Sequence, residues 1–237
     1  MRQAARVREK SGREGFEMEE PRTSFQEMPI SAFQQALASK APVPGGGGAA
    51  ALAGALAASL LTMVGSLTVG KKKYAACEAA LREKMAEMEK AAGRLLSLVD
   101  ADAKAFAPLS QAYSLPSETK EEQETKDQVL EQCLRDAAAV PLAILEEVTG
   151  IAQELHDFCE MGSVLARSDV GCAAALAGAA GKSAALNVYV NTRLMQDRAY
   201  AKDLDGRCLA LELNCTALSE ESAQAVEAFL RAPRRKA

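Results

Sequence analysis

Residues 41–70 run for thirty positions without a formal charge, and no other feature constrains this chain as strongly. Length alone would let the run cross a bilayer, because about twenty apolar residues suffice. Its interior, AALAGALAASLLTMVGSLTVG, is built mostly from Ala and Gly with Ser and Thr between them. Such a span gains far less on transfer to lipid than a Leu-rich one. A second run, GCAAALAGAAGKSAALNVYV at residues 171–190, holds Lys182 and Asn187 in its interior, and both residues are costly inside a membrane. We therefore expect two buried helices with small side chains that let neighbours approach closely, and no membrane partner.

The flanking segments carry helical periodicity. Ser31 opens S-A-F-Q, a capping box with Gln34 that starts a short helix ending near Lys40, ahead of Pro42 and Pro44. Gly45, Gly46, Gly47 and Gly48 then form a turn that precedes a helix over 49–67. A stripe of Leu81, Met85, Met88, Leu95, Leu98, Val99 and Phe106 marks an amphipathic helix reaching residue 113. Ser117 is expected to cap the next helix, which runs to residue 158 and is bent or divided by Pro141. Ser168 is expected to cap a helix over 169–189, and a last helical stretch reaches 230 with a break near Asp205 and Gly206. No segment reads as a strand. The expected fold is all-α: one domain of long antiparallel helices around the two Ala/Gly-rich ones, over residues 29–230. A flexible extension, 1–28, precedes it and a basic tail, 231–237, follows.

Composition excludes several function classes. The chain has 237 residues, a net charge of −4 and 4% aromatic residues without Trp. Basic residues cluster at the two ends around an acidic middle, so nucleic acid is not expected as a partner. Six cysteines without a CxxC pair, and a single histidine, His156, do not make a structural zinc site. No metal is expected. The thiols read as small core residues of a reducing compartment, and without an apolar leader the expected location is the cytoplasm.

Asp102 is the most informative carboxylate. Its i±3 and i±4 neighbours are Val99, Leu98, Ala105 and Phe106, all apolar, so desolvation would raise its proton affinity and suit it to acid–base work. A hydrogen-bonded residue at a helix edge is the structural alternative. Asp100, two residues away, faces elsewhere and is matched with Lys104 as a surface ion pair. Lys71, Lys72 and Lys73 read as a solvated face or as a site for carboxylate or phosphate groups. Ser183, Asn187 and Asn191 make a polar row at i, i+4, i+8, which can read a heterocycle or satisfy carbonyls between helices. Ser168 and Asp169 suit a helix start. GAAGKS at 178–183 lacks the spacing of a phosphate loop.

Several segments in a fixed order carry a resemblance: PVPGGGG at 42–48, LTVGKKKY at 67–74, VDADAKAF at 99–106, Pro141, RSDVG at 167–171 and NVYVN at 187–191. Together they resemble the cyclodeaminase/cyclohydrolase family, over about residues 31–230. The resemblance implies a helical homodimer that handles reduced folate without a metal. It implies formimidoyltetrahydrofolate cyclodeaminase activity, closing the 5-formimidoyl form to 5,10-methenyltetrahydrofolate and ammonia. The alternatives it implies are methenyltetrahydrofolate cyclohydrolase and a catalytically inactive folate-binding protein. A separate formiminotransferase is an implied partner. By the same resemblance Asp102 would be the catalytic aspartate and Gly45, Gly46, Gly47 and Gly48 would shape the folate cleft. Lys71, Lys72 and Lys73 would meet the anionic glutamate tail, and Asp169, Asn187 and Asn191 would line the pterin pocket. The chain departs from the family pattern at Val43, Gly48, Ser163 and Leu165, which removes candidate ligand hydrogen bonds.

Overall fold

The computed structural model describes residues 24–233. Most of the expected N-terminal extension, and residues 234–237 of the expected basic tail, lie outside the described residues. Six α-helices account for nearly all of the rest: α1 (Ile30–Leu37), α2 (Gly46–Ser66), α3 (Glu78–Ala112), α4 (Lys120–Met161), α5 (Arg167–Thr192) and α6 (Arg198–Arg231), with short 3-10 turns at Phe25–Glu27, Lys72–Cys77 and Val164–Ala166.

Cross-helix contacts fix the topology. Gly54 of α2 lies against Leu95 of α3, Gly65 against Met85, and Gly48 against Val99, so α2 and α3 run antiparallel. Arg94 pairs with Glu147 at 2.7 Å and Lys84 with Asp157 at 2.7 Å, which sets α3 antiparallel to α4. Gly171, Gly178 and Gly181 of α5 face Val226, Ser219 and Cys215 of α6 in descending order, again antiparallel. Helices α2 and α5 are antiparallel as well, because Gly46 meets Asn187 at one end while Thr68 accepts from Ser163 N–H at 2.7 Å at the other. Helix α4 runs behind this layer and carries much of the core, including Ile144, Leu145, Val148, Ile151, Leu155 and Phe158.

The Ala/Gly-rich helices work by close approach. A methyl group on Gly54 would sit 2.7 Å from Val148 Cγ2 and 3.1 Å from Leu95 Cδ1, so α2 packs on α3 and α4 at a distance only glycine permits. Helix α2 is the one helix among the described residues long and apolar enough to cross a membrane, and 56% of its most apolar window is buried inside the protein.

The boundaries differ from the sequence reading in six places. Three of the four glycines lie inside the first turn of α2, with Gly45 as N-cap; a methyl group would collide with Asp102 at Gly47 and crowd Asn187 at Gly46, whereas at Gly48 it would make only ordinary contacts. Pro29, not Ser31, precedes α1, and it makes no side-chain cap. Thr119 caps α4 in place of Ser117, completing a capping box with Glu122. Helix α5 begins at Arg167, ahead of Ser168, continuing the turn at Val164–Ala166. Helix α4 continues through Pro141 and α6 through Gly206. Packing along their length holds both together against these local breakers.

Candidate active site

Asp102 projects from α3 toward the first turn of α2. Its Oδ2 accepts a hydrogen bond from Gly48 N–H at 3.0 Å, using one of the amides that a helix start leaves without an intrahelical partner. Gly47 makes this approach possible, since a methyl group there would lie 2.1 Å from Asp102 Oδ1. Burial pushes the Asp102 carboxyl above the usual carboxylate range, and the Gly48 N–H offsets part of that rise. A carboxyl whose proton affinity is raised in this way is suited to accept and return a proton.

Beside it lies a cavity of about 160 Å³, lined by Pro42, Val43, Gly45, Gly46, Asp102, Phe106, Ala137, Pro141, Asn187, Val190 and Asn191. Five elements build it: the loop before α2, the first residue of α2, the last third of α3, α4 around Pro141, and the last turns of α5. Asn187 Nδ2 donates to Ser183 O at 2.8 Å, and Asn191 Nδ2 donates to Asn187 O at 2.8 Å and Ala137 O at 3.2 Å. Ser183 Oγ in turn donates to Ala179 O at 2.7 Å, so the polar row is tied to backbone carbonyls along α5. Asn191 Nδ2 thus uses both of its N–H groups and Asn187 Nδ2 one of two, which leaves both amide oxygens to accept, and one Asn187 N–H to donate, toward a molecule in the cavity.

The structure gathers part of the expected set and separates the rest. Gly45, Gly46, Gly47, Gly48, Asp102, Asn187 and Asn191 meet at one end of α2 and α5. Lys71, Lys72 and Lys73 are exposed beyond the other end of α2, about 30 Å away by the rise of a 21-residue helix. Asp169 sits in the first turn of α5 at that same far end. There Tyr74 OH accepts from Val164 N–H at 3.2 Å, and Lys73 lies 5.3 Å from the Tyr74 ring. The Val164 N–H is the main reason the Tyr74 phenol sits below its ordinary value. Of the four departures from the family pattern, Val43 lines the cavity and Gly48 donates to Asp102. Ser163 is buried at the far end and Leu165 is 88% exposed there.

Asp100 does something other than pair with Lys104. Its Oδ1 accepts from Phe25 N–H at 2.6 Å and its Oδ2 from the Ser24 hydroxyl, which pins the segment before α1 to α3. Sequence reasoning also missed a charged cluster between α5 and α6, where the nearly buried Glu212 takes Lys182 Nζ and, at 2.8 Å, Tyr189 OH. No local pattern announces it, because its members lie 23 and 30 residues apart. Asp197 caps α6 by accepting from Tyr200 N–H at 3.0 Å and holds Arg135 at 2.8 Å. Among the described residues no three His, Cys, Asp or Glu side chains gather as a metal site.

Known proteins share this chain's sequence and architecture. A family model described as Formiminotransferase-cyclodeaminase matches residues 29–210. A methenyltetrahydrofolate cyclohydrolase of Methylorubrum extorquens is 41% identical over 184 residues, covering 75% of this chain and 87% of that one. The formimidoyltransferase-cyclodeaminase of Sus scrofa is 32% identical over 191 residues, covering 81% of this chain and 35% of that one. The chain thus spans about a third of the length of that relative. The crystal structure of a formiminotetrahydrofolate cyclodeaminase from Thermotoga maritima superposes with a TM-score of 0.77 at 26% identity, covering 86% of this chain and 98% of that one.

Proposed function

This chain belongs to the formiminotransferase-cyclodeaminase family, and we propose that it is a methenyltetrahydrofolate cyclohydrolase, opening 5,10-methenyl-tetrahydrofolate with water to the 10-formyl form. One observation carries the choice of reaction: the 41% identical relative that bears this name matches across 87% of its own length. The fused relatives match over only about a third of theirs.

The proposed chemistry follows from the cavity. The bridging carbon of the substrate lies between N5 and N10 in a cationic amidinium, which a carboxylate in a partly desolvated site attracts. The ionised Asp102 accepts a proton from water as the water oxygen bonds to that carbon. The tetrahedral adduct then collapses. Its carbon–N5 bond breaks, Asp102 returns its proton to N5, the hydroxyl proton leaves to solvent, and the oxygen remains as the formyl oxygen. A carboxyl with raised proton affinity suits both transfers. The Asn187 and Asn191 oxygens would accept from N–H groups on the pterin edge.

A cavity of about 160 Å³ is smaller than the ~300 Å³ and upward usual for a ligand of this size, so the reading extends to a homodimer in which a second copy completes the cleft. The face that would meet it is apolar. Leu56 and Met63 on α2, Leu67 just past its end, and Leu186 and Val190 on α5 are each 39–56% exposed, and Val190 also lines the cavity. The lysines and Asp169 at the far end of one copy would then approach the cavity of the other. The setting that goes with this reading is the cytoplasm.

A second reading, formimidoyltetrahydrofolate cyclodeaminase, is favoured by the Thermotoga maritima structure. There N10 would attack the formimino carbon and ammonia would leave. Parallel assays with both substrates, following the methenyl chromophore and ammonia, test the choice. Decay of the chromophore without ammonia is expected. Ammonia release from the formimino substrate would select the second reading, and folate binding without turnover of either substrate would reject both.

A further inference from the structure

Among the described residues two prolines lie inside helices, and each deletes one N–H from a helical ladder. Pro108 in α3 and Lys104, whose carbonyl it deprives, are both exposed, so that carbonyl can turn to water. Pro141 in α4 is buried. Its missing N–H is the one that would have bonded Ala137 O, four residues back, and Ala137 is buried too. The Ala137 carbonyl receives instead the Nδ2 of Asn191 from α5, at 3.2 Å. The same nitrogen donates to Asn187 O at 2.8 Å.

This arrangement fixes the orientation of one carboxamide. Both partners of Asn191 Nδ2 are carbonyl oxygens, which only accept, so the opposite flip would set oxygen against oxygen. The two N–H groups of the amide are thereby spent on the protein, and its oxygen remains as an acceptor beside the cavity. Pro141 and Asn191 both line that cavity.

We infer that Pro141 is a positioning residue: by leaving the Ala137 carbonyl without its helical donor, it locks the Asn191 amide so that the site presents an acceptor to an N–H edge of the ligand. The inference rests on the proposed reading in its choice of ligand, since the pterin of a reduced folate offers such an edge. In Pro141→Ala the helix regains its own N–H, Ala137 O is satisfied within α4, and Asn191 is released from one of its two anchors.

The test is a double-mutant cycle on the full chain, comparing the native protein, Pro141→Ala, Asn191→Ala and the double variant. With the methenyl substrate, Pro141→Ala is expected to raise KM about five- to tenfold with kcat within about twofold of native. In the Asn191→Ala background it is expected to add little to KM. Melting temperatures, which need no substrate, provide the second arm. Asn191→Ala should lower Tm more in the native chain, where it strands the Ala137 carbonyl, than in the Pro141→Ala chain, where the backbone satisfies it. Asn191→Asp, similar in shape but without the amide donors, should lower Tm further than Asn191→Ala. Additive Tm shifts would overturn the anchoring, and an unchanged KM in Pro141→Ala would overturn the positioning role. Absence of turnover by the native chain would instead reject the proposed function, leaving the Tm arm to decide the anchoring by itself.

Discussion

Asp102 is a residue placed at a cost. Burial raises its folded-state proton affinity above that of the unfolded chain, so the folded protein binds the proton more tightly, and stability falls as pH rises through the gap between the two values. Asp102→Asn keeps an acceptor for Gly48 N–H and sheds the charge. We expect it to melt at a higher temperature than the native protein at pH 7–8 in calorimetry, while turnover drops about 10²–10⁴-fold. The linkage also predicts that this Tm advantage narrows as pH is lowered and the native carboxyl protonates. Gly47→Ala should reach nearly the same loss of turnover with Asp102 intact, because the added methyl group would occupy the position of its carboxylate. Overpacking there should lower stability by about 1–3 kcal/mol in urea titrations. Glu212 has the opposite sign. Burial pushes its carboxyl up, but Lys182 and Tyr189 together outweigh that and hold it below its ordinary value. Its contribution is therefore full above the unfolded carboxylate range and is lost as pH falls through the folded value. Lys182→Met should cost about 1–2 kcal/mol at pH 7, less than breaking a fully buried pair because the Lys182 side chain is 60% exposed. In urea titrations the gap between Lys182→Met and the native protein should close in acid. Of the two carboxylates, only Asp102 was legible in the sequence, where its apolar i±3 and i±4 neighbours stand beside it on one helix. The partners of Glu212 lie on another helix, and a backbone donor such as Gly48 N–H, 54 residues from Asp102, leaves no mark in local spacing.

Helix identity was legible where helix ends were not. The long amphipathic stripe of α3 and the two small-residue runs identify three central elements, because burial of a periodic face is what holds a helix in place. Ends depend on competition among nearby caps, and Thr119 prevailed over Ser117 by gaining a reciprocal bond with Glu122. Gly206 read as a break and Pro141 as a bend or division because their local cost is real, yet tertiary contacts along α6 and α4 keep both helices continuous. Glycines in these helices accordingly divide into two kinds. Gly54 is hemmed in by Val148 and Leu95, and Gly54→Ala should lose about 1–3 kcal/mol despite its better helix propensity. Gly206 meets nothing within 4 Å, and Gly206→Ala should gain about 0.5–1 kcal/mol. Chemical denaturation of the two variants side by side measures the contrast.

At the scale of the molecule, α2 and α5 join two chemically different ends. One holds the carboxylate and the asparagines, the other the lysines and Asp169, and an apolar surface runs between them. Sequence order could not reveal this separation, since Gly48 and Lys71 are 23 positions apart in the chain whatever the helix between them does. Leu56 is half exposed at the middle of α2, and Leu56→Glu is expected to break the proposed dimer into monomers in sedimentation equilibrium, with turnover falling although Asp102 is untouched. Because α2 carries no charge from end to end, association through it would have little for dissolved ions to screen, and would draw on a driving force that weakens on cooling. Salt should leave such an assembly standing, and ice should loosen it.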